Sequence, residues 1–377
     1  MKRGSAMETF YFLLFTFHFS LFTSSLPNFV VFLRPNFVWM SVFDDILGNC
    51  SVSVVGMGKN TGKTECLKYI LAGCAARGHL AGVTSIGIDG ESLDQVTGTE
   101  KPEIVMSEGT LFVTAENFYR ARRLTSEILD IGNMQTALGR LIVARAVTSG
   151  KVVLAGPTAT GQVRGVIRQL QALGAQTVFV DGALSRKSLG SPAVTDALVL
   201  TTGAALSPNI GELVRKTRFV YDLLQLPAFE SPLVPEMLEI ESGVRAVTDD
   251  GRLVDLGISS AFLLEQNRAR LFGHGSTLYV SGAVGDNLFD FLRKQPQVAD
   301  TTLVLRDFTR IFASPVSVNA YLQKGGKIRM LMRARLLCIC LNPWSPSGYV
   351  MDSERACAAL SEALGVPVYD IRKTPFH

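Results

Sequence analysis

The stretch Gly56-Met57-Gly58-Lys59-Asn60-Thr61-Gly62-Lys63-Thr64 constrains this chain more than any other. It comes directly after the valine-rich run Val52–Val55 and opens a segment with helical spacing. A strand feeding a glycine-rich turn that ends in Gly-Lys-Thr is suited to holding phosphate. Glycines allow positive φ and close approach of the backbone to an anion. Successive N–H groups then point inward, and the next helix offers its positive end. Lys63 can reach β- and γ-phosphates, and the Thr64 hydroxyl can ligate Mg²⁺. The nucleotide-binding set is therefore Gly56, Gly58, Lys59, Asn60, Thr61, Gly62, Lys63 and Thr64. The spacing is unusual. Counted from Gly58 the loop is one residue short of G-x4-G-K, and counted from Gly56 it is one residue long.

The rest of the chain supports a large α/β reading. Its 377 residues suffice for two domains or one large α/β domain, and 47% apolar residues allow a sizeable core. A formal net charge of +4 is too weak and dispersed for nucleic-acid binding. Four histidines make a multi-histidine metal site a poor expectation. The six cysteines include no C-x-x-C pair and read as buried thiols in a reducing compartment.

Residues 1–39 differ from the rest of the chain. Ten of the 22 phenylalanines fall within the first 45 positions, and no charged residue lies between Thr9 and Leu33. Three readings are open: an over-extended gene start with Met40 as the true initiator, a membrane anchor over residues 9–33, or a signal sequence. The first is favoured, because Met40 leads into the first strand at a normal distance and Pro27 interrupts the apolar run. A cytoplasmic location is expected, where nucleotide and Mg²⁺ are available.

From Met40 onward strands and helices alternate. Strands are expected at 51–55, 83–88, 177–181, 196–203, 277–281, 302–305, 336–341 and 366–370. Helices are expected from Gly62 to Gly78, after Gly161 to Gly174, and at 210–226, 286–294, 315–322 and 353–364. Ile104–Thr114 reads as a strand or as a hairpin around Glu108-Gly109, the runs Arg140–Val147 and Lys151–Leu154 could pair across Ser149-Gly150, and a hairpin candidate lies at Asp249-Asp250-Gly251. The fold class is α/β, a mostly parallel sheet flanked by helices, with a nucleotide-binding domain at 40–226 and a C-terminal α/β region at 227–377. Prolines 227, 232 and 235 mark the boundary. In such sheets ligands bind at the carboxyl ends of the strands. Asp181, ending the Val178–Val180 strand, is expected beside the loop as a Mg²⁺ ligand. Asp89, after the second strand, is expected to orient the attacking water or help hold the metal. Asn342 is a candidate for reading a purine edge. Arg120, Arg122 and Arg123 read as a solvated cluster.

The G-x5-G-K-T spacing resembles the loop of dethiobiotin synthetase and the cobyrinic and cobyric acid enzymes, within the SIMIBI class of P-loop proteins. A closer resemblance rests on three strings in order: Val55–Thr64, Thr84–Ser92 and Val180-Asp-Gly-Ala-Leu-Ser-Arg-Lys-Ser188. Together they resemble the ATPase-type subunit of the lysine 5,6-aminomutase reactivases, over roughly Ser51 to Leu206 and more loosely to the C-terminus. The resemblance implies Mg²⁺-dependent ATP hydrolysis that opens a mutase carrying adenosylcobalamin and pyridoxal phosphate, so that damaged cobalamin leaves. It also implies a second, smaller reactivase subunit. The Asp-x-His-x-x-Gly signature of cobalamin binding is absent, so cobalamin would belong to the client, a lysine or related ornithine mutase. On this reading Lys63, Asp89 and Asp181 are catalytic, and Thr64 and Asp181 hold the metal. Two other classes stay open: a small-molecule kinase or carboxylate-activating ligase of the dethiobiotin synthetase type, with Ser185, Arg186 and Lys187 as substrate-binding candidates, and a nucleotide-binding scaffold without hydrolysis.

Overall fold

Strand β1 (Ser51–Gly56) is buried at all six positions. A strand covered on both faces favours parallel neighbours with helices outside them. Those neighbours are β8 (Thr177–Ala183) and β9 (Ala197–Gly203), both parallel to β1. The computed structural model describes residues 42–87, 103–136, 138–183, 194–259 and 268–373. The stretch 1–39, Asp89 and the run 184–188 lie outside the described residues. The described residues belong to one compact unit, Val42–His377.

Among the described residues the large sheet has nine strands. Beyond β8 come β2 (Ala81–Ser85) and β4 (Leu111–Ala115), still parallel, then β6 (Gly139–Ala146) and β5 (Ser126–Thr136), antiparallel. Beyond β9 come β15 (Arg335–Asn342) and β16 (Val368–Asp370), both parallel. The fold is thus α/β, with a large, mostly parallel sheet flanked by helices, as the strand–helix alternation implied. Helix α1 (Lys63–Ala76) covers one face, where Cys66 and Cys340 of β15 bring their sulfurs to 3.7 Å. On the other face, α2 (Thr160–Ala172) buries Val163, Ile167 and Leu170 against Val178 and Val180. Helices α3 (Ile210–Leu224) and α6 (Ser353–Leu364) pack there against Leu198, Leu200, Ile339 and Leu341.

Three expectations need correction. The second strand ends at Ser85 rather than Ile88, because Gly87 takes φ +84° and turns the chain. Glu108-Gly109 is a turn, but the strands on either side of it do not pair. The first, β3 (Ile104–Met106), instead forms a separate ribbon with β7 (Gly150–Val152), while β4 enters the large sheet. The pairing expected across Ser149-Gly150 fails for the same reason: β6 bonds to β4 and β5. Strand β5 carries no sequence signal because it is an edge strand with Ile128 and Ile131 exposed, so no buried face marks it.

The region after Leu226 is not one layer. A five-stranded sheet forms between residues 244 and 330, and β15 and β16 then return to the large sheet. In the smaller sheet β10 (Val244–Val247) and β11 (Leu253–Ile258) form the expected hairpin through Gly251, at φ +76°. Parallel strands β12 (Thr277–Val280), β13 (Thr302–Leu305) and β14 (Lys327–Met330) are linked by α4 (Asp286–Leu292) and α5 (Pro315–Gln323). One apolar cluster joins the sheets, running from Leu213 and Ile339 to Leu278, Leu305 and Tyr321. Among the described residues no helix is long and apolar enough to cross a membrane.

The Tyr321 hydroxyl, fully buried, donates to the carbonyls of Thr301, 3.0 Å away, and Lys327, 3.3 Å away, at the entrances of β13 and β14. Thr301 O also accepts from the Lys327 amide at 3.0 Å, so removing the hydroxyl loses a hydrogen bond without orphaning that carbonyl, which costs about 0.5–1.5 kcal/mol. Tyr321→Phe is expected to lower stability by that amount, read as a lower urea midpoint with no change in slope. A smaller loss would mean the carbonyls find other donors.

Candidate functional site

The parallel register brings distant polar residues to one edge of the large sheet. Asp181 pairs with Val54 of β1 and Ser85 of β2, Thr201 pairs with Gly56, and Asn342 pairs with Gly203. The loop 57–62 springs from β1 at this edge and delivers the chain into α1.

Of the loop's three glycines, only Gly62 has a positive φ, +93°; Asn60 supplies the other left-handed position at +60°. A Cβ on Gly62 would come within 2.5 Å of Asn342 Cβ and 2.9 Å of Ile371 Cδ1. Gly56 is required for closeness instead, since a Cβ there would meet Thr61 Oγ1 at 2.9 Å. Thr61 is buried, and its hydroxyl donates to Gly58 O at 3.0 Å and lies 3.3 Å from Thr201 Oγ1. The Met57 amide donates to Thr201 O at 2.9 Å. On the other side, the Asn342 amide donates to Asn60 O at 3.2 Å and its oxygen accepts from the Trp344 amide at 3.3 Å. Asn342 thus buttresses the loop, and both ends of its side chain are engaged. Thr61, Thr201 and Ile371 carried no sequence signal for these roles, because each acts through a contact with residues far along the chain.

Helix α1 starts at Gly62, which has no side chain to cap it, and its first internal bond runs from the Cys66 amide to Gly62 O at 2.8 Å. The earlier amides of the first turn leave a positive end facing the loop. Lys63 projects from there to Asp181. Its Nζ lies 3.0 Å from both carboxylate oxygens and donates to Oδ2, while Oδ1 is buried and accepts no hydrogen bond among the described residues. At an effective dielectric near 20 this attraction is about 5 kcal/mol gross. Desolvation of the two groups returns much of it.

A buried carboxylate oxygen whose compensation is the Lys63 ion pair alone is chemically suited to a hard cation. Thr64, half-buried at the second position of α1, supplies a hydroxyl on the same helix end. Among the described residues no group of three or more His, Cys, Asp or Glu side chains could hold a metal. A cation here would therefore need Thr64, Asp181 and non-protein oxygens, which is how Mg²⁺ is commonly held. Lys59 is exposed in the loop. The structure brings Gly56, Gly58, Thr61, Gly62, Lys63 and Asp181 together; Asp89 lies outside the described residues. Elsewhere, Arg120 and Arg123 pair with Glu116 and Glu103, and Arg122 lies over the Tyr119 ring. Burial pushes the Cys74 and Cys357 thiols up to about 12, so both stay protonated at neutral pH.

These features define the class: a mostly parallel α/β protein with a glycine loop between its central strand and the helix after it. No protein-family model, no curated protein and no solved structure matches the chain.

The two loop glycines Gly58 and Gly62 should respond differently to a methyl group. Gly62→Ala forces a left-handed alanine, at about 1–2 kcal/mol, and a clash with Asn342 besides. Gly58→Ala meets only ordinary contacts, Leu206 Cδ1 at 3.5 Å and Thr61 Cγ2 at 3.7 Å. Chemical denaturation should show a clear loss for the first and a change within about 0.5 kcal/mol for the second. Equal effects would contradict the loop geometry.

Proposed function

We propose that this chain is a Mg²⁺-dependent P-loop ATPase, acting in the cytoplasm as the reactivating subunit for lysine 5,6-aminomutase. The observation that carries the nucleotide part is the Lys63–Asp181 pair beneath a glycine loop and an uncapped helix end. The reactivase part rests on the motif strings, of which Val180-Asp-Gly-Ala-Leu-Ser-Arg-Lys-Ser188 begins beside that aspartate.

In this reading the loop amides and the N-terminus of α1 receive the phosphates. The Lys63 ammonium leaves Asp181 for the more highly charged β- and γ-phosphates. Asp181 and Thr64 would then be the residues that hold Mg²⁺. When bound, the metal neutralises charge that develops on the phosphates. Asp89 orients the attacking water or supports the metal. Binding and hydrolysis then bias a client, lysine 5,6-aminomutase with its adenosylcobalamin and pyridoxal phosphate, between closed and open states. That requires differential affinity on the order of a few kcal/mol. A second reactivase subunit shares the task, and neither nucleic acid nor membrane is involved.

The test mixes inactivated mutase with this chain, its partner subunit, ATP, Mg²⁺ and fresh adenosylcobalamin. Recovery of mutase activity is expected, lost with Lys63→Ala and requiring more Mg²⁺ with Asp181→Asn. Hydrolysis without recovery would leave an ATPase with another client or a small-molecule substrate. Undiminished hydrolysis by Lys63→Ala would overturn the loop assignment.

A further inference from the structure

Directly after β15 the chain makes a small hairpin, residues 343–351, over the same sheet edge as the loop. Its frame is well bonded. The Ser345 amide donates to Tyr349 O at 2.9 Å, the Met351 amide to Pro343 O at 2.8 Å, and Trp344 and Val350 form a β-bridge. Gly348, at φ +85°, turns the tip, and its amide donates to Ser345 O at 3.0 Å. The Tyr349 hydroxyl donates to Pro208 O at 3.2 Å, tying the hairpin to the segment after β9. A hairpin fixed this firmly nonetheless leaves large apolar groups in water: Trp344 is 50% exposed, Tyr349 43% and Val350 53%.

Trp344 is the informative one. Its backbone amide and the carbonyl of loop residue Asn60 hang on the same Asn342 side chain, so its position is set relative to the loop by two hydrogen bonds. The Arg372 guanidinium lies over its ring, 4.5 Å from the centroid. That cation backs one face of the indole and restricts its rotation. A half-exposed aromatic ring whose backbone is tied through Asn342 to the glycine loop is suited to stack a heterocyclic base. Asn342, with one hydrogen bond at each end of its carboxamide, holds the loop and the hairpin together.

We infer that Trp344 is the base-stacking residue of the nucleotide site, binding the purine of ATP on one face while Arg372 backs the other. This rests on the nucleotide reading of the loop and adds the element that distinguishes a nucleoside triphosphate from bare polyphosphate. Arg372 is a positioning residue, and Tyr349 fixes the hairpin.

The experiment is calorimetric titration of the full chain with Mg²⁺-ATP and, separately, with Mg²⁺-tripolyphosphate. Trp344→Ala is expected to weaken ATP binding by about tenfold, the scale of one base–aromatic stack, and to leave tripolyphosphate binding unchanged. Trp344→Phe should keep most of the ATP affinity. Trp344 being half-exposed, neither substitution empties the core, and circular dichroism with thermal melts checks this. As a second readout, ATP but not tripolyphosphate should quench the emission component that Trp344→Phe removes. Tripolyphosphate binding together with an ATP affinity untouched by Trp344→Ala would overturn the inference and leave the loop assignment standing. Failure of the unaltered chain to bind either probe would overturn the loop assignment and this inference with it.

Discussion

The parallel pairing of β1 between β8 and β9 is the constraint from which the site follows. Lys63 and Asp181 are separated by 118 positions in the chain, and Thr61 and Thr201 by 140. No local preference brings such residues together. Parallel strands need crossover connections, and the crossovers place every strand's carboxyl end on one edge. Once β1 is in register with its neighbours, Gly56 stands beside Thr201, and Asp181 is level with Val54. The loop is then closed by contacts from both sides: Thr201 on one and Asn342 on the other.

Those contacts explain why the loop tolerates its unusual length. Asn60 and Gly62, two positions apart, adopt left-handed backbone, and Asn60 is not a glycine. A conformation of that kind persists where surroundings over-determine it. Here the Asn60 carbonyl is held by Asn342, and Thr61 is buried with its hydroxyl bonded to Gly58 O. The carboxamide from β15 means that the C-terminal part of the chain, which returns to the sheet after building a second one, shapes the loop near the other end.

Much of the architecture was readable from residue pattern alone, and the limits of that reading are physical. Buried parallel strands such as Ser51–Gly56 and Ala197–Gly203 announce themselves as short apolar runs, and α2 shows its stripe of Val163, Ile167 and Leu170. That Lys63 and Asp181 would lie close together was legible from their places after β1 and at the end of β8, and they form an ion pair. Strand pairing was not legible at the turns: β4 and β6 meet across the sheet although other segments lie between them in sequence. A turn says where the chain bends, and the hydrophobic faces on either side decide whom each strand meets. Asn342 shows the same limit in the site. Its place at a strand end was evident, but its partners, Asn60 and Trp344, depend on β15 entering beside β9.

The site also departs from what stability alone would select. Asp181 Oδ1 is buried and accepts no hydrogen bond among the described residues, α1 begins on a residue that cannot cap it, and Trp344 stands half in water on a rigid hairpin. Each is unfavourable in isolation: a buried carboxylate oxygen matched only by an ion pair, uncapped amides and exposed aromatic surface. On the proposed nucleotide reading, their chemistries would meet three parts of one bound species: a cation, an anionic chain and a flat heterocycle. All three are linked to the same glycine loop, through Lys63, through Gly62 and through Asn342. On that proposal one bound Mg²⁺-nucleotide would relieve them together, whereas the β13–β14 junction around Tyr321 satisfies its carbonyls internally.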